Sequence, residues 1–465
     1  NRACQADSCV DTVASQRVKS YFLRRFLLIP PTLLGITFLV FAITRFVPGG
    51  PMDRMLQQAA GNAEGGGGKK SSNETSGGLS EEQMEELEEQ FGLDKAMPVA
   101  YLQWLGLAPR EVRLSKGEFG EQGDDVIGGG GKEPDNMATL VLRGDGRLVE
   151  VRKKGDGIVS AKYRASGMSI FDDGWKLRYE DPEMRQKRFS HRSLAGAEVP
   201  AYSPRAVAYK TRFSGLLQGD LGRSTVYNDP VWEMILGRVP VALYFGLLTA
   251  IITYAVCLPL GVLKALKHRT FIDSASSILI FIGYSIPGFA LGAILLVHLG
   301  ARMNLFPLFG LTSPDFSEMA PWEQLKDLAH HTVLPLFCYL VGSFAMLTML
   351  TKNNLMDQLS ADYVRTAVSK GVSFRKAVFG HAFRNSMIPV ATSAGSLVEI
   401  FIGGSILVET VFDIQGFGLL QYQAVIARDV PVIMGTLTVA AFLMLLGKVL
   451  SDVIVAMVDP RIKFK

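Results

Sequence analysis

The residues in this chain that could do chemistry do not assemble into a catalytic set. Gly68-Lys69-Lys70 has no Ser or Thr directly after the lysine and no Gly five places before Gly68, so it is not a phosphate-binding loop. Gly447-Lys448-Val449 fails too and lies inside an apolar run. Gly416-Phe417-Gly418 follows no strand and is read as part of a short loop, not as a dinucleotide fingerprint. There is no HExxH, no GxSxG and no paired Cys/His spacing. Cys4 and Cys9 lie in the N-terminal tail, whereas Cys257 and Cys338 lie in apolar runs and read as packing residues. His330-His331 raises nickel as a thought, but a His pair at a membrane edge reads as structural. No catalytic residue, metal site or cofactor of the chain's own is expected.

A second kind of chemistry is the placement of polar groups inside apolar runs, where they are costly unless they serve a path or an interface. His298 stands late in one run, and Glu399 stands at the middle of another. Lys448 and Asp452 are spaced i, i+4 and can neutralise each other as a packing or interface device. Pro259, Pro287 and Pro335 each interrupt an apolar run. Tyr284-Ser285-Ile286-Pro287-Gly288 can unwind its helix locally, which suits a pathway wall; a simple kink is the plainer reading. The candidate path residues are Tyr284, Ser285, Pro287 and Glu399.

The elements that must position these residues are membrane helices. Nearly half the chain, 48%, is apolar and mean hydropathy is +0.22, whereas net charge is only +4. That balance implies no polyanion partner such as nucleic acid and points to lipid. Phe26 to Ile43 is long enough to span, with Arg24 and Arg25 before it and Arg45 placed to snorkel at its far end. It is read as a retained span, because Val47-Pro48-Gly49-Gly50-Pro51 follows it where a signal peptide would carry a small-residue cleavage site. Five more spans are expected near 239–263, 275–299, 332–351, 388–411 and 432–458. Lys264, Lys267 and Arg269 make one connection basic, and the segment 301–329 carries Asp315, Glu318, Glu323 and Asp327 against Arg302 and Lys326. Residues 412–431 are almost uncharged, and the tail holds Arg461, Lys463 and Lys465. Six spans with both ends cytoplasmic satisfy the positive-inside rule at every loop.

That topology divides the chain into a cytoplasmic tail 1–20, a first span 21–47, an extracytoplasmic region 48–235, a five-helix core 236–458 and a tail 459–465. The long excursion opens on a flexible stretch around Gly65 to Gly68. Ser80 with Gln83 then makes a capping box for an acidic helix whose stripe is Met84, Leu87 and Phe91. Between 107 and 212, short alternating runs at Thr139–Arg143, Arg147–Lys153, Ile158–Arg164 and Trp175–Tyr179 are separated by Gly-Asp-Gly and Asp-Asp-Gly turns, so this part is expected to be β-rich.

The stretch from Ser360 to Pro389 is basic, amphipathic and flanked by spans. Lys352, Arg365, Lys370, Arg375, Lys376 and Arg384 outnumber Asp357 and Asp362. Leu359, Tyr363, Thr366 and Ala367 share a helical face, Gly371 suits a left-handed helix end, and Ser373 suits the N-cap of a second helix carrying Phe374, Ala377, Val378, His381 and Ala382. A helix–Gly–helix at the cytoplasmic surface is built to dock into a partner's groove. The motif Tyr363-Val364-Arg365-Thr366-Ala367, with Ser369-Lys370-Gly371, His381-Ala382-Phe383-Arg384-Asn385 and Ile388-Pro389, resembles the coupling loop of bacterial ABC importer permeases, in the peptide/nickel branch. Arg365-Thr366 departs from the Glu-Ala of the wider group, a departure typical of that branch.

Further motifs extend the resemblance to 21–106 and 213–465. They are Phe91-Gly92-Leu93-Asp94-Lys95, Tyr101-Leu102-Gln103-Trp104-Leu105, Gly219-Asp220-Leu221-Gly222-Arg223-Ser224, Glu409-Thr410-Val411-Phe412, Arg428-Asp429-Val430-Pro431 and Asp459-Pro460-Arg461. Within the family the sequence is most similar to B-type permeases of oligopeptide and microcin C importers. The segment 107–212 interrupts two motifs that stand close together in the family.

The resemblance implies an all-α polytopic protein with six transmembrane helices of the type I importer permease fold, carrying a large β-rich extracytoplasmic insertion, in the bacterial inner membrane. It implies a sister permease in a heterodimer, cytoplasmic ABC ATPase subunits that hold ATP and Mg, and an external solute-binding protein. It assigns ATPase coupling to Tyr363, Arg365, Thr366, Ala367, Lys370, Gly371, Val372 and Phe374 in a loop 352–387. The expected function is import of peptides or peptide-like solutes. The alternatives are a same-fold importer of nickel or another small solute, and a membrane-anchored receptor that senses through its insert.

Overall fold

The structure, a computed structural model, describes residues 2–46, 92, 95–119, 136–142, 146–155, 157–188, 203–393 and 406–458. The acidic helix with its capping box, the glycine stretch, Glu399 and the Asp459-Pro460-Arg461 ending lie outside the described residues. The chain forms two compact units, one of residues 1–51 with 221–465 and one of residues 52–220.

The first unit is helical. Helix α1 is Arg2–Phe46, of which Leu23–Arg45 is long and apolar enough to cross a membrane. Three further helices meet the same test: α4 (Val231–Leu266), α7 (Pro321–Ser360) and α13 (Val430–Val458). α5 (Phe271–Ser285) and the α6 segment (Gly288–Leu295, continuing as a wider turn to Arg302) meet the test only as a pair, bent by 87° at the break between them. Around the span expected at 388–411 the described helices are α10 (Phe383–Ser393) and α11 (Ile406–Phe412), and residues 394–405 lie outside the described set.

Of the three prolines expected to interrupt spans, only Pro287 does. α4 runs straight through Pro240 and Pro259, and α7 through Pro335. At the break, Ile286 is extended (φ −98°, ψ 120°), as a residue before proline prefers. Ser285 Oγ donates back to the Phe281 carbonyl at 2.7 Å, and a Cβ on Gly288 would come within 2.8 Å of the Cys338 carbonyl oxygen. Ile286-Pro287-Gly288 thus combines an extended residue, a missing donor and a close backbone approach to α7. Pro259 and Pro335 are followed directly by Leu260 and Leu336, and both helices continue unbroken past them.

The helices pack in pairs. Cys257, Leu347 and Val390 join α4, α7 and α10, and Phe245, Leu334, Cys338, Val408, Phe412 and Ile414 form a second cluster. A Cβ on Gly261 would lie 2.6 Å from Thr351 Cβ and 3.0 Å from the Thr348 carbonyl, so α4 and α7 touch backbone to side chain. Asp452 of α13 pairs with Arg25 of α1 at 3.2 Å, so the expected Lys448–Asp452 neutralisation gives way to a contact that ties the last helix to the first.

The second unit contains the predicted β structure. Helix α2 (Met97–Leu105) ends in a left-handed Gly106, and the strands follow: β1 (Arg110–Glu118), β2 (Met137–Val141), β3 (Leu148–Lys154), β4 (Gly157–Tyr163), β5 (Lys176–Glu180) and, after the short helix α3 (Pro182–Arg188), β6 (Arg205–Arg212). They make two antiparallel sheets, in the orders β1-β6-β5 and β2-β3-β4. Leu140, Leu142, Val149, Val151, Ile170, Ala206 and Ala208 fill one core between them. Sequence alternation located β2 to β5 but not β1 or β6. β6 opens Arg-Ala-Val-Ala with four buried residues in succession, a central strand covered on both faces and therefore without alternation.

β1 and β6 also explain how the insertion is accommodated. Arg110 pairs with Arg212, so the first and last strands lie side by side and the segment leaves and re-enters at one point. The flanks touch: Gln218 Nε2 donates to the Gly106 carbonyl at 3.1 Å, and a Cβ on Gly215 would meet the Gly106 nitrogen at 2.4 Å. Two motifs separated by the insertion in sequence are therefore adjacent in space.

Candidate coupling site

The basic stretch folds as two helical pieces around Gly371. Helix α7 does not stop where the apolar run ends. Leu355, Met356 and Leu359 continue its stripe, and Leu355 is fully buried, so the helix carries on to Ser360. Ala361 is extended (φ −69°, ψ 146°) and starts a new helix, α8 (Asp362–Ser369). Because the chain turns there, the face does not pass from Leu359 into α8. The inward residue of α8 is Val364, packed with Val262 and Ala265 of α4, Leu355 of α7, and Ala377 and Ala382 beyond the turn. Ala367 is half-buried, while Tyr363, Arg365, Thr366 and Lys370 are exposed.

The end of α8 is a Schellman turn. Gly371 takes φ +88°, its N–H donates to the Val368 carbonyl at 2.9 Å, and Val372 N–H donates to Ala367 at 3.1 Å. Nothing lies within 4 Å of where a Gly371 Cβ would be, so glycine is needed for its backbone angle alone. Ser373 occupies the N-cap of α9 (Phe374–Ala377), with its carbonyl accepting from Ala377 N–H at 2.9 Å, although its hydroxyl makes no capping bond. α9 continues through a wider turn, Val378–Ala382, into α10. Ala377, Val378 and Ala382 face inward, and Phe374 is 56% exposed. Val372 is half-buried beside the turn.

Tyr363 links two motifs that sequence reading left separate. Its hydroxyl donates to Gln358 Oε1 at 2.8 Å and accepts from Asn385 Nδ2 at 3.2 Å, joining the end of α7 to the start of α10. The set Tyr363, Arg365, Thr366, Ala367, Lys370, Gly371, Val372 and Phe374 is thus brought together as one ridge, with Val364 as the anchor that sequence spacing missed.

At the opposite ends of the helices, two more motif pairs meet. Ser224 Oγ donates to Asp429 Oδ2 at 2.5 Å, and Thr225 N–H donates to Oδ1 at 3.2 Å, so the Gly219–Ser224 and Arg428–Pro431 motifs are tied by one carboxylate. Glu409 is buried and its Oε2 accepts from Leu419 N–H at 2.7 Å, while Tyr339 donates to Oε1 at 3.3 Å. This carboxylate caps helix α12 (Phe417–Ile426), whose N-cap is Gly416. A side chain on Gly416 would collide with it, at 2.5 Å from Oε2. The segment expected as a short loop therefore holds a helix with Phe417, Leu419, Leu420 and Ala424 buried. The glycine at 416 is explained by that cap.

Of the candidate path residues, Tyr284, Ser285 and Pro287 sit together at the α5–α6 break, and Tyr284 is exposed. Glu399 lies outside the described residues. His298 bonds its own helix at the Ile294 carbonyl, 2.9 Å away. His330 contacts the Leu305 carbonyl at 2.7 Å, whereas His331 contacts the Asp327 carbonyl at 3.0 Å. The two rings thus serve different partners.

Residues 257–464 match the family described as binding-protein-dependent transport system inner membrane component. The chain is also 30% identical over 454 residues to the peptidoglycan transport system permease protein YejB of Agrobacterium fabrum, covering 96% of this chain and 98% of that protein. The chain belongs to this permease family. It is 35% identical to the inner membrane ABC transporter permease protein YejB of Escherichia coli O157:H7, over 67% of this chain and 85% of that one. It is 36% identical to the oligopeptide transport system permease protein AppB of Bacillus subtilis, over 56% and 81%. The MetNI methionine ABC transporter aligns with a TM-score of 0.38 at 18% identity, over 49% of this permease and 97% of that chain. The ridge around Gly371, the Asp429 tie and the Glu409 cap all lie within the matched family region or contact it.

Proposed function

We propose that this permease is the transmembrane subunit of an ATP-driven importer for peptides or peptide-like solutes. The observation that carries the reading is the exposed ridge of Tyr363, Arg365, Thr366 and Phe374 around the Gly371 turn, held on a buried anchor at Val364. It is a preformed helix face of the kind that seats in a partner's cleft. The partner is a cytoplasmic ATPase, which binds ATP and Mg, since this chain has no nucleotide loop of its own. A sister permease completes the path, lipid surrounds it and an external binding protein delivers the solute. The peptide class rests on what the Bacillus relative is named for. Six spans, cytoplasmic ends and an extracytoplasmic region 48–235 follow from the charge of the loops. The Tyr284–Gly288 break and Glu399 are the proposed path.

The test is copurification and uptake with variants on the ridge. Ala367 is only half-buried within this chain, so Ala367→Asp costs folding little, but it buries an unpartnered charge once a cleft closes over it. Gly371→Val strains the left-handed turn by about 1–2 kcal/mol. Both variants are expected to insert normally and to lose the ATPase, while Ser369→Ala, on the exposed side, keeps it. Normal ATPase copurification and normal uptake by Ala367→Asp would show that the docking site is elsewhere.

A further inference from the structure

Where α4, α5 and α7 meet near the coupling ridge, a buried ionic cluster is centred on Asp273. The carboxylate, 5% exposed, receives Lys352 of α7 on both oxygens, at 2.7 and 2.8 Å, and lies 3.1 Å from the ammonium of Lys264 at the end of α4. Arg269 N–H donates to it at 3.2 Å, and His268 Nδ1 stands 3.3 Å away. Lys264 is wholly buried and its three donors go to the start of α5: the Asp273 carbonyl at 2.8 Å, Ser276 Oγ at 2.8 Å and Ser277 Oγ at 2.6 Å. Each charge also suits its helix end, a cation in the last turn of α4 and an anion in the first turn of α5.

We infer that Asp273 is the positioning residue that carries movement of the coupling ridge to α5 and hence to the break at Ile286-Pro287. Two short routes lead to it from Val364. Val364 packs on Val262 and Ala265, which flank Lys264 on α4, and on Leu355, one turn from Lys352 on α7. α4 and α7 are interlocked at Gly261 and Thr351, so they act as one body beneath the ridge. α5 is joined to that body at its first turn by the Asp273 carboxylate, which grips a lysine from each helix and is its ionic link to α7, and by the Lys264 bonds to the Asp273 carbonyl, Ser276 and Ser277. A buried ion pair of this kind serves less to stabilise the fold than to fix a register between elements, since charges removed from water regain little in net energy. From Asp273 the helix runs about 16 Å to Tyr284, at 1.5 Å per residue, where the chain bends.

The inference rests on the coupling reading of the ridge, and the experiment separates the two. A fluorophore sensitive to its surroundings is attached at Tyr284→Cys in the assembled transporter, with Cys4 and Cys9 replaced by Ser; Cys257 and Cys338 are buried. The probe is a non-hydrolysable ATP analogue, so no transported solute is needed. With Asp273 intact, nucleotide shifts the emission. Asp273→Asn is expected to keep the ATPase bound and to lose at least four-fifths of that shift. Lys352→Met should do the same while leaving Lys264 on the carboxylate, and it guards against misfolding of the first variant. Combining the two should add no further loss, because both act through one contact, whereas Lys352→Arg should restore most of the shift. A full nucleotide response in Asp273→Asn and Lys352→Met, or no response with Asp273 intact, would overturn the inference. Ala367→Asp, run in parallel, reports on docking: release of the ATPase there but not in Asp273→Asn supports both, and retention in Ala367→Asp with a lost response in Asp273→Asn leaves the cluster in place and moves the docking site.

Discussion

Glu409 shows how one side chain decides a neighbour's identity. Its carboxylate stands where a Gly416 side chain would be and satisfies the Leu419 N–H, an amide that would otherwise be unpaired at the start of α12. Gly416→Ala must push the carboxylate aside or tilt the helix, at a cost of about 1–3 kcal/mol. Glu409→Ala removes the cap and strands a buried amide, about 1–3 kcal/mol as well. Because the two act on one contact, the double variant is expected to cost clearly less than the sum. Thermal unfolding of the purified protein in detergent checks this; strict additivity would mean that Gly416 is required for some other reason. Asp429 poses the same question at the other motif pair. Ser224→Ala removes a donor to a buried carboxylate and should lower stability without touching the coupling ridge.

Among the elements, the insertion is the clearest case for removal. Arg110 and Arg212 are direct antiparallel partners, so their Cα atoms lie about 5 Å apart and a two-residue link can replace 111–211. The excised protein is expected to insert and to keep the proposed sister subunit, because Gly106, Gly215 and Gln218 close the flanks without help from the strands. Failure to insert, seen as loss from the membrane fraction, would make the insertion part of the scaffold. How far these elements were legible follows from their physics. Apolar length announced the spans, and turn glycines with alternation announced β2 to β5. β6 was invisible because a strand buried on both faces has no alternation, and β1 because its partner lies far along the chain. α12 was hidden because its signal is a cap from another helix, and the α7 extension because loop charge and helix amphipathicity overlap in Lys352–Ser360. The Gly371 turn was read correctly because it is local, whereas the Asp273 cluster unites three helices and leaves only scattered charges in the sequence.

For the whole molecule, the question is which side each half faces. The charge argument counts Lys264 and Lys352 as cytoplasmic anchors, yet both are drawn into the Asp273 cluster in the folded protein. That does not weaken it, because orientation is set while the helices insert, before the cluster can form. Arg24, Arg25, Lys267, Arg365 and Lys370 point to the same side, and the acidic 301–329 loop to the other. Ser166 lies exposed in the turn after β4, and Ser369 lies exposed at the end of α8. With Cys4 and Cys9 replaced, Ser166→Cys is expected to react with a membrane-impermeant maleimide on intact spheroplasts. Ser369→Cys should react only after the membrane is opened. The pair is informative because both serines are surface residues on folded elements, so the difference reports the side and not burial. Labelling of Ser369→Cys from outside, with Ser166→Cys silent, would invert the topology. The coupling ridge would then face away from every source of ATP, and the importer reading would fall with the orientation.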